Sequence, residues 1–183
     1  MRGFNLIELL ICLMILAITA LFAVPATKDF IAAQRANQAV NQVFIAIQLA
    51  RSEAITRGEI VTLCPGKNTC VSDWEAGFFL STSESNTAKD PQKQILRLFD
   101  TLEPGSDLYW RGFPNVNYLQ ISPTGFTRDQ NGTFYYCPKD RDPRYARAVI
   151  VDQTGRARLS ADLNGDGIHE GADGEPLFCS PRN

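Results

Sequence analysis

Residues 3–26 read GFNLIELLICLMILAITALFAVPA. The run from Leu9 to Val24 is apolar, and a single carboxylate, Glu8, stands at its edge. A bilayer span takes about 20 mostly apolar residues. Phe4 to Pro25 is close to that length, with Asn5 and Glu8 as its strongly polar members. A plain transmembrane helix is one reading. A secretory signal peptide cleaved after Ala26 is a second, with a positive region of only Met1 and Arg2. Both leave Glu8 unexplained, because an ionised acid in an apolar segment needs a partner or a reason.

A third reading accounts for more residues. GFNLIEL resembles the G-F-T-L-I-E-L signature of type IV pilins and type II secretion pseudopilins, with Asn5 in place of the commoner Thr. The resemblance implies that a prepilin peptidase cuts after Gly3, that Phe4 becomes the methylated first residue, and that Glu8 becomes the fifth. Cleavage leaves a charged amine on Phe4, about one helical turn from Glu8. In a filament, Glu8 can meet the Phe4 amine of a neighbouring subunit, and a buried charge is tolerable when it is paired.

Downstream the helical pattern continues. Ala36, Val40, Val43, Phe44, Ile47, Ala50 and Ala54 recur at three- and four-residue steps and form one apolar stripe. Gly58 after Arg57 is a stop signal. One helix is expected from about Phe4 to Arg57, roughly 80 Å long at 1.5 Å per residue. Pro25 should kink or locally melt it.

Beyond Gly58 the period changes. EIVTLC, WEAGFFL, ILRLFD, NYLQIS, TFYYCP, ARAVIV and GRARLS are short runs rich in β-branched and aromatic residues, separated by turn-like pieces such as EPGSD and DQTG. The expected fold class is α+β: a long N-terminal helix packed on an antiparallel β head. The expected segments are a leader at 1–3, a membrane or filament-core helix at 4–25, an amphipathic helix at 26–57 and the head at 58–183.

The stretches ARSEAITRGEIVTLCP, DWEAGFFL, ISPTGF, FYYCP and ARAVIVDQTGRARLS, in that order, resemble the FimT/FimU/GspH group of minor pilins and pseudopilins. That likeness implies the type IV pilin fold and a minor subunit that primes or caps a filament, not an enzyme. It implies other major and minor pilins and the prepilin peptidase as partners. It also implies anchorage in the inner membrane with the head in the periplasm, then residence in the filament or its tip.

The net charge is −2, so any nucleic-acid binding must come from a local patch. Between Cys137 and Arg158 lie six basic residues (Lys139, Arg141, Arg144, Arg147, Arg156, Arg158) against three acids (Asp140, Asp142, Asp152), a balance of +3. On a strand, Arg156 and Arg158 should point to one side. Two parallel guanidiniums suit phosphate. In FimT-like minor pilins a GRxR motif of this kind is associated with DNA capture, which by resemblance falls on Gly155, Arg156 and Arg158; from the local basic charge, Arg144 and Arg147 are expected as supporting contacts. Such binding would be directed at phosphate and blind to sequence.

The segment DLNGDGIHEGAD resembles a calcium loop. Asp162, Asn164 and Asp166 alternate, Gly167 follows, the Ile168 carbonyl is a further ligand and Asp173 falls at the twelfth place. Asp173 is shorter than the usual Glu, and no flanking helices are evident. The expected cofactor is none required, with calcium as the candidate. A membrane-anchored, calcium-stabilised periplasmic binding module is thus a rival of another class, and a type II secretion minor pseudopilin is the near rival.

Four of the five cysteines, Cys64, Cys70, Cys137 and Cys179, lie outside the apolar run. Outside the cytoplasm they read as two disulfides, because their spacings lack the tight C-x2-C pairs of zinc knuckles. Cys64 with Cys70 and Cys137 with Cys179 is one pairing; crossed pairings are open. His169 is the only histidine. No Ser/His/Asp or Cys/His constellation and no Gly-rich phosphate loop is visible. Trp74 and Trp110 read as core or edge aromatics.

Overall fold

The computed structural model describes residues 5–82, 94–100 and 102–179, without the side chains of 22–26. Gly3 and Phe4, the expected processing site, lie outside the described residues. The chain divides into two compact units, Met1–Gln34 and Arg35–Asn183.

A single helix, α1 (Leu6–Arg57), contributes to both units, and its helical assignment runs unbroken through Pro25. In the first unit the described side chains up to Leu21 are all exposed, apolar ones included. Thr19 hides its hydroxyl by donating to the carbonyls of Ile15 and Leu16, both at 3.0 Å, which suits apolar surroundings. Glu8 sits in the first turn, where the helix dipole favours an acid. Among the described residues no helix is long and apolar enough to cross a membrane. Residue 4 and the side chains of 22–25, which complete the expected span, are outside that description.

In the second unit the expected stripe is buried. Ala36, Val40, Val43, Ile47, Ala50 and Ala54 are at most 3% exposed, and Ala39 and Ala46 join them. Phe44 is only half-buried. Five of the residues buried on this face are alanines. The helix stops at Gly58, whose φ of 68° and N–H bond to the Ala54 carbonyl (3.0 Å) make a left-handed cap.

Eight strands follow: β1 (Val61–Pro65), β2 (Phe78–Thr82), β3 (Gln94–Phe99), β4 (Asp107–Phe113), β5 (Leu119–Ile121), β6 (Asn131–Cys137), β7 (Arg147–Val151) and β8 (Ala157–Leu159). They form two four-stranded antiparallel sheets, ordered β3-β2-β1-β5 and β4-β6-β7-β8. One strand departs from the expectation. DLYWRGF, with no strand assigned to it from sequence, is β4 and pairs along its length with β6. It alternates: Leu108 and Trp110 are buried, while Arg111 and Phe113 are exposed.

Both tryptophans are core residues. Trp74 meets Phe134 edge-on at 4.8 Å and donates its indole N–H to Asn117 Oδ1 at 2.7 Å; Trp110 packs on the same Phe134 at 4.5 Å. Two disulfides close, Cys64–Cys70 and Cys137–Cys179. The second ties the C-terminal segment to β6, where Leu177 packs against Ala146 and Ala148.

The two bonds close loops of different size, with sequence separations of 6 and 42. Loop entropy assigns about 2 kcal/mol to the short loop and about 4 kcal/mol to the long one. Urea unfolding of Cys64→Ser/Cys70→Ser and Cys137→Ser/Cys179→Ser should therefore show the larger loss in the second pair; equal or reversed losses contradict this ranking.

Candidate nucleic-acid interface and acidic loop

The segment from Val151 to Ala157 turns β7 into β8. Gly155 N–H donates to the Asp152 carbonyl (3.1 Å), Asp152 N–H donates to the Arg156 carbonyl (3.1 Å), and Gly155 has φ of 75°. This is a three-residue hairpin loop with glycine at the left-handed position. The Asp152 carboxylate accepts from Thr154 Oγ1 (2.6 Å) and N–H (2.8 Å) and from Arg156 N–H (3.2 Å). Those bonds, the Thr154 hydroxyl first, hold its carboxyl below the usual range.

Gly155 has a second reason to be glycine. A Cβ there would collide with the Gly125 carbonyl oxygen and lie 3.7 Å from Phe126 Cα. The loop before β6 is thus pressed onto the hairpin. Thr127 fastens it, donating to the Gln153 carbonyl from both N–H and Oγ1 at 3.1 Å.

Beyond that turn, Arg158 stands opposite Ile150, and Arg156 is hydrogen-bonded across to Asp152. Arg156 and Arg158 are exposed and line one shallow cleft of about 230 Å³ with Ile150, Asp152 and Ala157. Neither guanidinium has a hydrogen-bonded or ion-paired partner among the described residues.

The other four basic residues of the local +3 balance are committed elsewhere. Lys139 pairs with Glu103 at 3.3 Å, Arg141 with the buried Asp107, and Arg144 with Asp142 at 2.7 Å. Arg144 also lies over the Tyr145 ring at 5.3 Å. Arg147 is 9% exposed. Its Nη1 donates to the carbonyls of Arg144 (2.8 Å) and Ala146 (2.7 Å), and its Nε to Asn37 Oδ1 on α1 (3.2 Å). Burial pulls its guanidinium below the ordinary arginine value. Arg147 is therefore a tie between sheet and helix, and the phosphate-facing role expected of it from sequence is withdrawn. Arg144 is exposed, but Asp142 neutralises it.

Two further residues border the hairpin without any sequence signature of a binding role. Phe126 is 51% exposed. A Cβ on Gly125 would lie 3.2 Å from Arg51 Nε and 2.9 Å from Ile55 Cδ1, so Arg51 reaches the same loop from α1. Among the described residues the Arg51 guanidinium also lacks an ion-pair or hydrogen-bond partner.

The acidic loop follows β8. Asp162 accepts from Gly165 N–H (2.7 Å) and Gly167 N–H (2.8 Å), Asn164 from Asp166 N–H (2.8 Å), and Asp166 from Ile168 N–H (2.8 Å). The Gly167 and Gly165 bonds hold the Asp162 carboxyl below the usual range. Ligand oxygens of Asp162, Asp166 and Glu170 lie within 4.8 Å of one another. Asp173, expected as the twelfth-position ligand, is outside that cluster and accepts instead from Glu175 N–H at 3.1 Å. Glu170, five percent exposed, takes its place and also accepts from Leu163 N–H (2.8 Å).

A family model described as "Type II transport protein GspH" matches residues 39–155. The chain belongs to the GspH family and is a minor pilin or pseudopilin. A curated relative, a fimbrial protein of Pseudomonas aeruginosa, is 36% identical over 112 residues, covering 57% of this chain and 70% of that protein. The type IV minor pilin FimU of P. aeruginosa shares the fold, with a TM-score of 0.55 at 20% identity over 75% of this chain and 93% of that one. The minor pseudopilin EpsH of the Vibrio cholerae type 2 secretion system does so too, with a TM-score of 0.53 at 16% identity over 69% and 97%. The fold is therefore the type IV pilin fold, and the family's subunits assemble with other pilins into filaments.

His169 links the loop to the sheet. Its Nδ1 lies 2.9 Å from the Ser160 carbonyl and 3.1 Å from Ser160 Oγ. Burial, then Arg147, pulls its pKa below the ordinary 6.5, against the raising effects of the Ser160 bond, Asp162 and Glu170. An unfolded histidine takes up its proton near pH 6.5, the folded one only at lower pH. The neutral-histidine contribution is thus complete above about pH 6.5 and is lost between that value and the lower folded pKa. Asp162 acts in a lower window, because a depressed carboxyl keeps its contribution down to about pH 4. The melting temperature should fall from pH 7 to about 5, and His169→Gln should flatten that fall; an equal fall in the variant contradicts the assignment.

Proposed function

We propose that this chain is a minor type IV pilin of the FimT/FimU kind that helps assemble or prime a pilus and captures DNA through its head. The observation that carries the DNA reading is the pair of guanidiniums, Arg156 and Arg158, unpaired among the described residues and sharing one exposed cleft. Gly155 enters as the residue that lets the turn close against Gly125, not as a ligand contact. The likeness to a fimbrial protein supports the pilus over the secretion system. The family model's own description favours the second reading, a type II secretion minor pseudopilin. Deletion separates them: lost piliation and transformation support the first, and lost protein secretion the second.

In this reading the peptidase cuts after Gly3, and Glu8 pairs with the Phe4 amine of a neighbouring subunit. The chain waits in the inner membrane with its head in the periplasm, then enters the filament or its tip. DNA binding should be weak and set by phosphate. Neutralising two phosphates gives a log–log salt slope near −2 on duplex. Replacing Arg156 and Arg158 with Gln should abolish a low-salt gel shift. A variant that shifts DNA like the wild type refutes this site, and a wild type without a shift refutes the function.

A weak calcium site at Asp162, Asp166 and Glu170, with Asn164 and the Ile168 carbonyl as further oxygens, is a second part of the proposal. It is supported by three carboxylates converging beside backbone that is already turned to present them. Calcium at ten times its dissociation constant should raise the melting temperature by about 3–5 °C, and Asp166→Asn should remove the rise. An unchanged melting temperature at millimolar calcium dismisses the site.

A further inference from the structure

The loop pressed onto the arginine hairpin carries an exposed aromatic, Phe126, and hydrogen bonds fix that loop's backbone in place. The loop carrying Phe126 is closed by Ser122, whose N–H and Oγ both donate to the Phe126 carbonyl at 2.8 and 2.9 Å. Gly125 N–H returns to the Ser122 carbonyl at 2.8 Å. Thr127 then ties the next residue to Gln153 in the hairpin. Phe126 is thus bracketed by hydrogen bonds on both sides, with its backbone against Gly155, yet its side chain is half exposed. A backbone that is already held loses little freedom when something stacks on the side chain it carries.

Three guanidiniums lacking ion pairs or hydrogen bonds among the described residues stand on the elements that meet this loop: Arg156 and Arg158 in the hairpin whose Gly155 abuts the Phe126 backbone, and Arg51 from α1 against Gly125. An exposed aromatic on a loop beside cationic side chains is the combination that holds single-stranded nucleic acid: bases stack on the ring and phosphates lie along the charges. A duplex keeps its bases stacked inside and offers such a ring nothing but its backbone.

We propose that the preferred ligand of this head is single-stranded nucleic acid, with Phe126 as the base-stacking residue and Arg51 as a third phosphate contact beside Arg156 and Arg158. This rests on the DNA reading above and narrows it to a strand class.

Fluorescence anisotropy of the full chain in detergent, with a labelled oligothymidylate and a duplex of equal length, tests it. The wild type should bind the single strand more tightly. Phe126→Ala should weaken oligothymidylate binding about fivefold or more, the effect of losing one stacked base, and leave duplex binding within about twofold. Phe126→Leu, which keeps the apolar bulk, should behave like the alanine variant, and Phe126→Tyr like the wild type. Arg51→Gln should weaken both ligands and reduce the salt slope by about 1. Equal affinity of the wild type for both ligands, or a Phe126→Leu variant that binds single strands normally, overturns the proposal. An unchanged slope in Arg51→Gln strikes Arg51 from the site. If Arg156→Gln/Arg158→Gln binds both ligands as the wild type does, the underlying DNA reading fails instead.

Discussion

The apolar stripe on α1 from Ala36 to Ala54 has to be covered, and the head is the cover. Each buried alanine offers little apolar area. Val40, Val43 and Ile47 supply the larger apolar groups, each worth roughly 1.5–3 kcal/mol when fully buried. Close packing leaves little room for polar groups, which have to be satisfied at the margin. Arg147 shows how: it caps the carbonyls of Arg144 and Ala146 and reaches Asn37 on the helix. Removing it would leave those acceptors without a donor at a buried junction.

That junction also sorts the charges. The basic stretch between Cys137 and Arg158 looks like one patch when written as a line. In three dimensions Lys139, Arg141 and Arg144 meet acids, Arg147 turns inward, and among the described residues of that stretch the two hairpin arginines alone carry guanidiniums without an acidic partner. The hairpin holds its shape because two glycines meet. Gly155 supplies the left-handed turn and the space, and Gly125 brings the Phe126 loop into that space. Arg156 and Arg158 thus stand on a turn that another loop braces, not on a free tail.

The helix was legible because its stripe repeats at a helical period and ends at Gly58. The strands were legible where β-branched and aromatic residues cluster. DLYWRGF was not, because Asp107, Arg111 and Gly112 dilute that composition, although its period of two was present. Arg147 could have been placed from the same period: it shares parity with Val149 and Val151, which are both buried. The shift from Asp173 to Glu170 was not available from spacing, because the chain folds Glu170 back between Ala161 and Pro176. Arg51 and the Gly125 loop lie far apart in sequence and are brought together only by the fold, so no local pattern could pair them.

The proposed path of nucleic acid runs along the Gly125–Gly155 junction. Ultraviolet cross-linking of the full chain to a single-stranded oligonucleotide, read by peptide mass spectrometry, tests it directly. Adducts are expected in the stretches around Phe126 and around Arg156 to Arg158. Adducts confined to the stretch from Lys139 to Arg144, or spread evenly over the head, would contradict it.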